Sequence, residues 1–377
     1  MKYYIIAGEL SGDKHAALLV RYIKQYDKDA VLRGFGGDNM QKEGVQIVKH
    51  IKELAFMGFA EVAAHLSEVL GNISFCKKDI MSFAPDCMIF VDYPGFNLRI
   101  AEFTHKKGIK NFYYISPQVW AWKKGRIKMM KRILDKLYVI LPFEKPFYAE
   151  HNMQVEYYGN PLLDEISLFK SSESNKENFL KEYSLGEKPI VAILPGSRKQ
   201  EIKKMLPVQS ALIDRYPQFD FVIACVDSFD ENYYRQYIKS KNAHLVFNRT
   251  YDILNVAHSG MITSGTATLE TALFDVPQCV CYKTSRISYI IGKYVAKIKF
   301  ISLVNIILNH ETVKELLQSL WNEKDLDDEF RKITFNNEYR SRMKNEYSVL
   351  RSQLGNAGAS NQIAKSITQK LKTNNAV

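Results

Sequence analysis

Four short stretches of this sequence put charged or small residues where an apolar run gives way to a helix-like pattern. In VDYPGFN, Val91 to Asn97, an aspartate ends the very apolar run DCMIFV, and Pro94 and Gly95 then break the chain. A partly desolvated carboxylate at a strand end has its pKa pushed upward and suits a general base. The plainer alternative is that Asp92 caps the next helix. In LPGSRKQEI, Leu194 to Ile202, a Pro-Gly turn leads through Ser197 and Arg198 into a helix. Backbone N–H groups at a helix N-terminus and a guanidinium fork suit an anion. Glu201 sits early in that helix, where an acid complements the dipole. In TSGTATLETALF, Thr263 to Phe274, the small residues Ser264, Gly265 and Thr266 leave room for close approach by a diphosphate. Glu270, one helical turn deeper, could accept from ribose hydroxyls. The plainer alternatives are a turn with a surface arginine and a first-turn helix acid. Two such turns in one half of the chain together favour a nucleotide diphosphate site.

The fourth stretch, GELSGDKHAALLV, follows the first apolar run, as a phosphate loop would. It carries two acids, Glu9 and Asp13, which are a poor choice for holding phosphate. His15 lies one turn further on; a lone histidine is more often structural. No motif speaks for ATP, a dinucleotide or a metal. There is no G-x-x-x-x-G-K-[ST], no G-x-G-x-x-G behind a strand, and GFGGDN is too loose to serve. The eight histidines show no H-E-x-x-H or metal-like cluster, so neither metal nor cofactor is expected.

The elements that must position these turns are short apolar runs alternating with amphipathic stretches. YYIIAG reads as a strand, and Lys14 to Tyr26 as a helix with apolar positions at Ala17, Leu18, Val20 and Ile23. AVLRGFGGDNM, DCMIFVDYPG, KNFYYISPQVWAW and KLYVILPF continue the series. Between Leu163 and Lys188 the chain turns polar, and then PIVAILPGSR, FDFVIACVDS, HLVFNRT, GMITSGTATLETALF and VPQCVCYKT restart it. Continuous apolar strands with helical crossovers mean parallel sheets covered on both faces. The expectation is α/β: two doubly wound, Rossmann-like domains, residues 1–165 and 166–345, facing a cleft. A helical tail, 346–377, would pack back toward the first domain. Ser360 could cap its helix, and Ile363 and Ile367 lie on one face. Ligands then belong beyond the carboxyl ends of the strands.

Composition fits this outline. A chain of 377 residues is too long for one ordinary core, and the shares of 46% hydrophobic and 25% charged residues are globular. A net charge of +11 favours an anionic partner: nucleic acid, anionic membrane or phosphorylated substrate. No RNP-type aromatic motif or helix-turn-helix signature supports nucleic acid. The five cysteines show no zinc spacing and read as reduced core thiols of a cytosolic protein. MKYYIIAGEL meets polar sequence too soon for a signal peptide, and no apolar run reaches the roughly 20 residues of a membrane span. Two stretches suit a lipid surface. One holds Phe56, Met57, Phe59, Val62, Leu66 and Leu70; the other, KKGRIKMMKRI from Lys123, interleaves six basic residues with Ile127, Met129 and Met130. Their plainer alternatives are a core helix and a solvated face.

The motifs GELSGD, MGFAEV, VDYPGFNL, ISPQVWAW, YYGNPLLDEI, LPGSRKQEI, SGTATLE and SLVNIIL occur in the order found in lipid A disaccharide synthases, and the chain resembles that family over nearly its whole length. The resemblance implies an inverting glycosyltransferase of the GT-B type. It implies a UDP-2,3-diacylglucosamine donor, a 2,3-diacylglucosamine 1-phosphate acceptor, and a β-1,6-linked disaccharide plus UDP as products. It also implies a metal-independent cytoplasmic enzyme lying on the inner face of the inner membrane. Carried over motif by motif, it gives Glu9, Ser11 and Asp13 to the first turn and Asp92 the role of general base, with Glu9 its rival. Arg198, Ser264, Gly265, Thr266 and Glu270 go to UDP, and Asn305 to the substrate. The Phe56 to Leu70 stretch would then receive acyl chains. Three positions depart from the family pattern: Leu10 where Ala is commoner, Asn160 where many members have His before the Pro, and Val304 in place of the Pro before Asn305. Family members can exchange their C-terminal parts between chains, and a homodimer stays open. Two rival classes are a sugar-nucleotide epimerase on the same fold, needing no acceptor, and a non-catalytic binder of anionic lipid.

Overall fold

The runs YYIIA and CMIFV become central strands because both of their faces are covered, which removes any need for polar alternation. The computed structural model describes residues 1–54, 66–122, 125–171, 176–284 and 299–374. The chain divides into two units: Met1–Asp164 with Gly355–Val377, and Glu165–Leu354.

In the first unit seven parallel strands run in the order β3-β2-β1-β4-β5-β6-β7. They are β1 (Lys2–Ala7), β2 (Val31–Gly36), β3 (Gln46–His50), β4 (Cys87–Val91), β5 (Lys110–Tyr114), β6 (Lys136–Val139) and β7 (Glu156–Tyr157). Successive side chains of β1 go to opposite faces. Tyr4 and Ile6 join one core with Phe35, Met88 and Phe90. Tyr3, Ile5 and Ala7 join the other with Ala16, Leu19 and Ile23 of the helix Leu10–Tyr26. That helix begins four residues before the expected Lys14. Strand order reverses between β1 and β4, so the turns carrying Glu9 and Asp92 flank the switch point, where such sheets bind ligands.

The C-terminal helix, Ala359–Asn374, completes this unit. Ile363, Ile367 and Leu371 enter the second core, and full burial of such side chains contributes about 1.5–3 kcal/mol each. Its cap differs from expectation. Ser360 lies inside the helix. The Asp164 carboxylate accepts from Gly358 N and, at 2.8 Å, from Ser360 N. The acid that caps this helix therefore comes from the helix Pro161–Ser171, far away in sequence.

The basic stretch becomes the helix Arg126–Ile133. Its Ile127, Met130 and Ile133 are buried in the first core, while Lys128 and Lys131 are exposed. Lys123 and Lys124 lie outside the described residues, as do Phe56, Met57, Phe59 and Val62 of the other lipid-like stretch and the side chain of Leu66. No helix among the described residues is long and apolar enough to cross a membrane.

The second unit has six parallel strands in the order β10-β9-β8-β11-β12-β13. They are β8 (Ile190–Leu194), β9 (Asp220–Cys225), β10 (Ala243–Phe247), β11 (Ala257–Thr263), β12 (Gln278–Tyr282) and β13 (Glu315–Leu317). Here the order reverses between β8 and β11. The LPGSR and SGTAT turns leave those two adjacent strands. All five cysteines are buried and unpaired, as core thiols.

Candidate active site

Asp92 stands one residue past β4 with φ of 46°, and Tyr93 follows with φ of 48°. Left-handed backbone at a residue with a Cβ costs on the order of 1–3 kcal/mol, and here two occur in succession. Tyr93, not Asp92, takes the N-cap position of the helix Pro94–Lys106, so the capping alternative does not describe Asp92. Its main chain is held on both sides. Asp92 N donates to Tyr114 O at 3.1 Å. Asp92 O accepts from Tyr113 Oη at 2.6 Å and from Asn97 Nδ2 at 2.7 Å. Burial, and then the negative charge of Glu9, push the Asp92 carboxyl up to about 6; the Tyr93 N–H and the nearby His15 pull it back only in part.

Gly8 brings the two turns together. A Cβ there would fall 2.4 Å from Cγ of Tyr93, so only glycine admits the ring. Glu9 next takes the N-cap position of the helix Leu10–Tyr26, yet its side chain makes no capping bond. Ser11 is partly exposed in the first turn. Asp13 is fully buried, and its contacts are internal. Oδ1 accepts from Gly37 N at 2.7 Å and Met40 N at 3.1 Å; Oδ2 accepts from Asn39 N at 3.0 Å and Asn39 Nδ2 at 2.8 Å. The three backbone N–H groups are the orphan donors at the start of the helix Asp38–Lys42, so the Asp13 carboxylate caps a neighbouring helix.

In the second unit, Gly196 turns the chain with φ of 100° after β8. Arg198 takes the N-cap position of the helix Lys199–Ser210, and its side chain is 53% exposed. Glu201 folds back over the turn: Oε2 accepts from Ser197 N at 3.1 Å and Arg198 N at 3.3 Å, and Oε1 lies 3.4 Å from Arg198 Nη1. Its acid already occupies the amides expected to face an anion. On the neighbouring turn Gly265 and Thr266 are exposed and Ser264 half-buried, with Ser264 Oγ donating to Ile301 O at 3.3 Å. Thr266 opens the helix Thr266–Leu273, and Glu270 Oε1 accepts from Tyr251 Oη at 2.9 Å.

Asn305 is fully buried. Its Nδ2 donates to Val313 O at 2.8 Å and Glu315 Oε1 at 3.0 Å, and its Oδ1 accepts from Thr312 N at 2.8 Å and Val313 N at 3.0 Å. All of its capacity goes to Thr312, Val313 and Glu315, which ties the helix Leu303–Leu308 to the chain entering β13. Asn160, the departure from the histidine pattern, is likewise spent on Ile140 O and Leu162 N, both at 3.0 Å.

The family model described as lipid-A-disaccharide synthetase matches residues 3–370 of this chain. The chain belongs to the lipid-A-disaccharide synthase family. A lipid-A-disaccharide synthase of Syntrophus aciditrophicus is 36% identical over 368 residues, which cover 96% of this chain and 95% of the relative. One of Geobacter sulfurreducens is 32% identical over 374 residues, covering 97% and 96%. Among solved structures, a UDP-GlcNAc 2-epimerase of Neisseria meningitidis bound to UDP-GlcNAc aligns with a TM-score of 0.69 at 14% identity, covering 98% of this chain and 100% of the epimerase. The glycotransferase of kitacinnamycin aligns at 0.64 with 10% identity, covering 98% and 99%. These likenesses show the fold alone, a GT-B-like pair of α/β units. As a family member the chain is a glycosyltransferase of lipid A biosynthesis, acting between a UDP-sugar donor and a phosphosugar acceptor.

In this lipid-A-disaccharide synthase family member, the motif residues lean on neighbours that sequence reading passed over. Tyr113 and Asn97 hold Asp92. Tyr251 bridges Glu270 and, at 3.3 Å, Glu165 Oε2; burial and those two acids hold its phenol protonated, its one proton shared between them. Glu144 follows β6 at the same edge as Asp92. It accepts from Ile140 N at 3.1 Å and Leu141 N at 2.9 Å, and burial pushes it up to about 7. An acid five residues past β6, in LPFE, is the available signal for Glu144; nothing local marks Tyr113, Asn97 or Tyr251.

Proposed function

We propose that the enzyme joins UDP-2,3-diacylglucosamine to 2,3-diacylglucosamine 1-phosphate, with Asp92 as the general base. The acceptor 6-hydroxyl gives its proton to Asp92 as its oxygen bonds to the anomeric carbon. The bond from that carbon to the diphosphate breaks on the opposite face, and UDP leaves with the electron pair. The product is inverted, a β-1,6-linked disaccharide. One observation carries this reading: a carboxylate held in costly left-handed backbone at the sheet's switch point, its pKa raised toward neutrality, as a base near pH 7 requires. Glu9 raises that pKa and orients the acceptor together with Ser11. Asp13 and Asn305 support turns.

On the donor side, Arg198 and the N-terminus of the helix Thr266–Leu273, with Ser264, Gly265 and Thr266, stabilise the charge that develops on the diphosphate. Glu270, oriented by Tyr251, accepts from the ribose. The enzyme lies on the cytoplasmic face of the inner membrane. Leu70 and Phe75, 55% and 44% exposed on the helix Leu66–Phe83, offer an apolar surface for acyl chains, and Lys128 and Lys131 offer cations for anionic headgroups.

Asp92→Asn tests the assignment. Loss of general-base catalysis should lower turnover by about 10²–10⁴-fold with UDP affinity kept. Near-normal turnover would remove Asp92 from the role.

A further inference from the structure

Asp92 and Tyr93 are consecutive residues with Cβ atoms in the left-handed region, and such backbone persists only where its surroundings over-determine it. Two side chains do so here. Tyr113 is fully buried on β5, where it pairs in register with Phe90 of β4. It lies in an apolar core, and a Phe would fill the same space without burying a hydroxyl. That hydroxyl donates to Asp92 O at 2.6 Å. Burial, and then the Asp92 charge, hold the phenol far above its usual range, so it stays a donor at every working pH. Asn97 is also fully buried. Its Nδ2 reaches Asp92 O at 2.7 Å, Val91 O at 3.3 Å and Ile6 O at 3.4 Å. Ile6 lies on β1, two residues before Gly8. One amide therefore fastens the end of β1, the end of β4 and the turn of the base.

We infer that Tyr113 and Asn97 are positioning residues for the transfer reaction: by gripping the Asp92 carbonyl from two directions, they fix the backbone that sets the direction of its carboxylate. This rests on the reading of Asp92 as the base. Neither residue touches substrate in this account. Each acts through Asp92, so each should affect turnover more than binding.

The experiment compares Tyr113→Phe, Asn97→Ser and Asp92→Asn with the wild type. It reads kcat, KM for donor and acceptor, UDP affinity, the acid limb of kcat/KM and the melting temperature. Tyr113→Phe keeps the ring and removes one bond. It should lower kcat by on the order of 10- to 100-fold, as small misplacements of a catalytic group do, with KM and UDP affinity little changed. A loosened turn also lets water reach the carboxylate, so the acid limb should move to lower pH. A role confined to stability would lower the melting temperature and leave kcat and the limb in place; that result overturns the proposal. If Asn97→Ser fails to fold, Tyr113→Phe decides by itself. An inactive Asp92→Asn beside a Tyr113→Phe of wild-type kcat and acid limb removes the clamp and keeps the base. A near-normal Asp92→Asn removes the base, and the clamp's role falls with it.

Discussion

The Tyr93 ring lies against Gly8 so closely that a Cβ at Gly8 would meet its Cγ at 2.4 Å and Cδ1 at 2.5 Å. This contact joins the turn after β1 to the turn after β4. Gly8→Ala must push the ring away, and with it the backbone of Asp92. Turnover should fall by about 100-fold, the scale on which misplacing a reacting group by an ångström acts. The turns proposed to hold UDP belong to the other unit and should be untouched. Steady-state kinetics beside calorimetric titration with UDP checks both halves of the statement.

With Asp92 as the proposed base, its raised pKa sets a pH dependence. A base must be ionised to work, so kcat/KM should fall by one proton below about pH 6 and level off above it. Glu9 contributes to that midpoint through its negative charge. Glu9→Gln should keep measurable turnover and move the limb to lower pH; abolished turnover with the limb unreadable would make Glu9 the base. Linkage gives the matching stability sign. A carboxyl whose folded pKa lies above its unfolded value of about 3.9 favours the folded state while protonated, and that contribution is lost as pH rises through about 6. Asp92→Asn should therefore melt no lower than wild type at pH 8, which a thermal scan at pH 5 and pH 8 reads.

The strands and the strand-end turns are legible in the sequence for a physical reason. A parallel strand covered on both faces leaves an uninterrupted apolar run, and CMIFV or IVAIL shows where it stops. Asp92, Arg198 and the SGT turn are read from that position. The partners of these residues are not legible, because chemistry alone does not separate a ligand from a cap. Asp13 and Asn305 have the side chains of substrate ligands, yet each also bonds three backbone groups and one side chain inside the fold. Asp164 caps the C-terminal helix through amides that lie 194 and 196 positions further along the chain. No local pattern announces such a pairing; it exists only once the C-terminal helix lies against the first sheet's unit.

Asp13 and Asp92 should thus fail differently. Asp13→Ala leaves Gly37 N, Asn39 N and Met40 N without their acceptor, two of these contacts being buried. Each buried donor left unpaired costs about 1–3 kcal/mol, so the first unit should lose several kcal/mol in urea. Whatever protein remains folded should bind both substrates with near wild-type KM. A stable Asp13→Ala with a greatly raised acceptor KM would return Asp13 to the substrate.

Arg198 and Glu201 make the last case. Their ion pair is exposed on the arginine side, and such pairs contribute about 0–1 kcal/mol. That pair by itself adds little to stability, while a charge-assisted bond to phosphate is worth about 1.5–3 kcal/mol. Arg198→Ala should weaken UDP binding about 10- to 100-fold and barely move the melting temperature. Glu201 competes for the same guanidinium and for the amides of Ser197 and Arg198. With an uncharged amide at that position, in Glu201→Gln, the repulsion between carboxylate and diphosphate disappears, and UDP should bind at least as tightly as to wild type. Calorimetry on the two variants separates the roles: weaker binding in both would make Glu201 part of the phosphate site, and unchanged binding in Arg198→Ala would move that site off this turn.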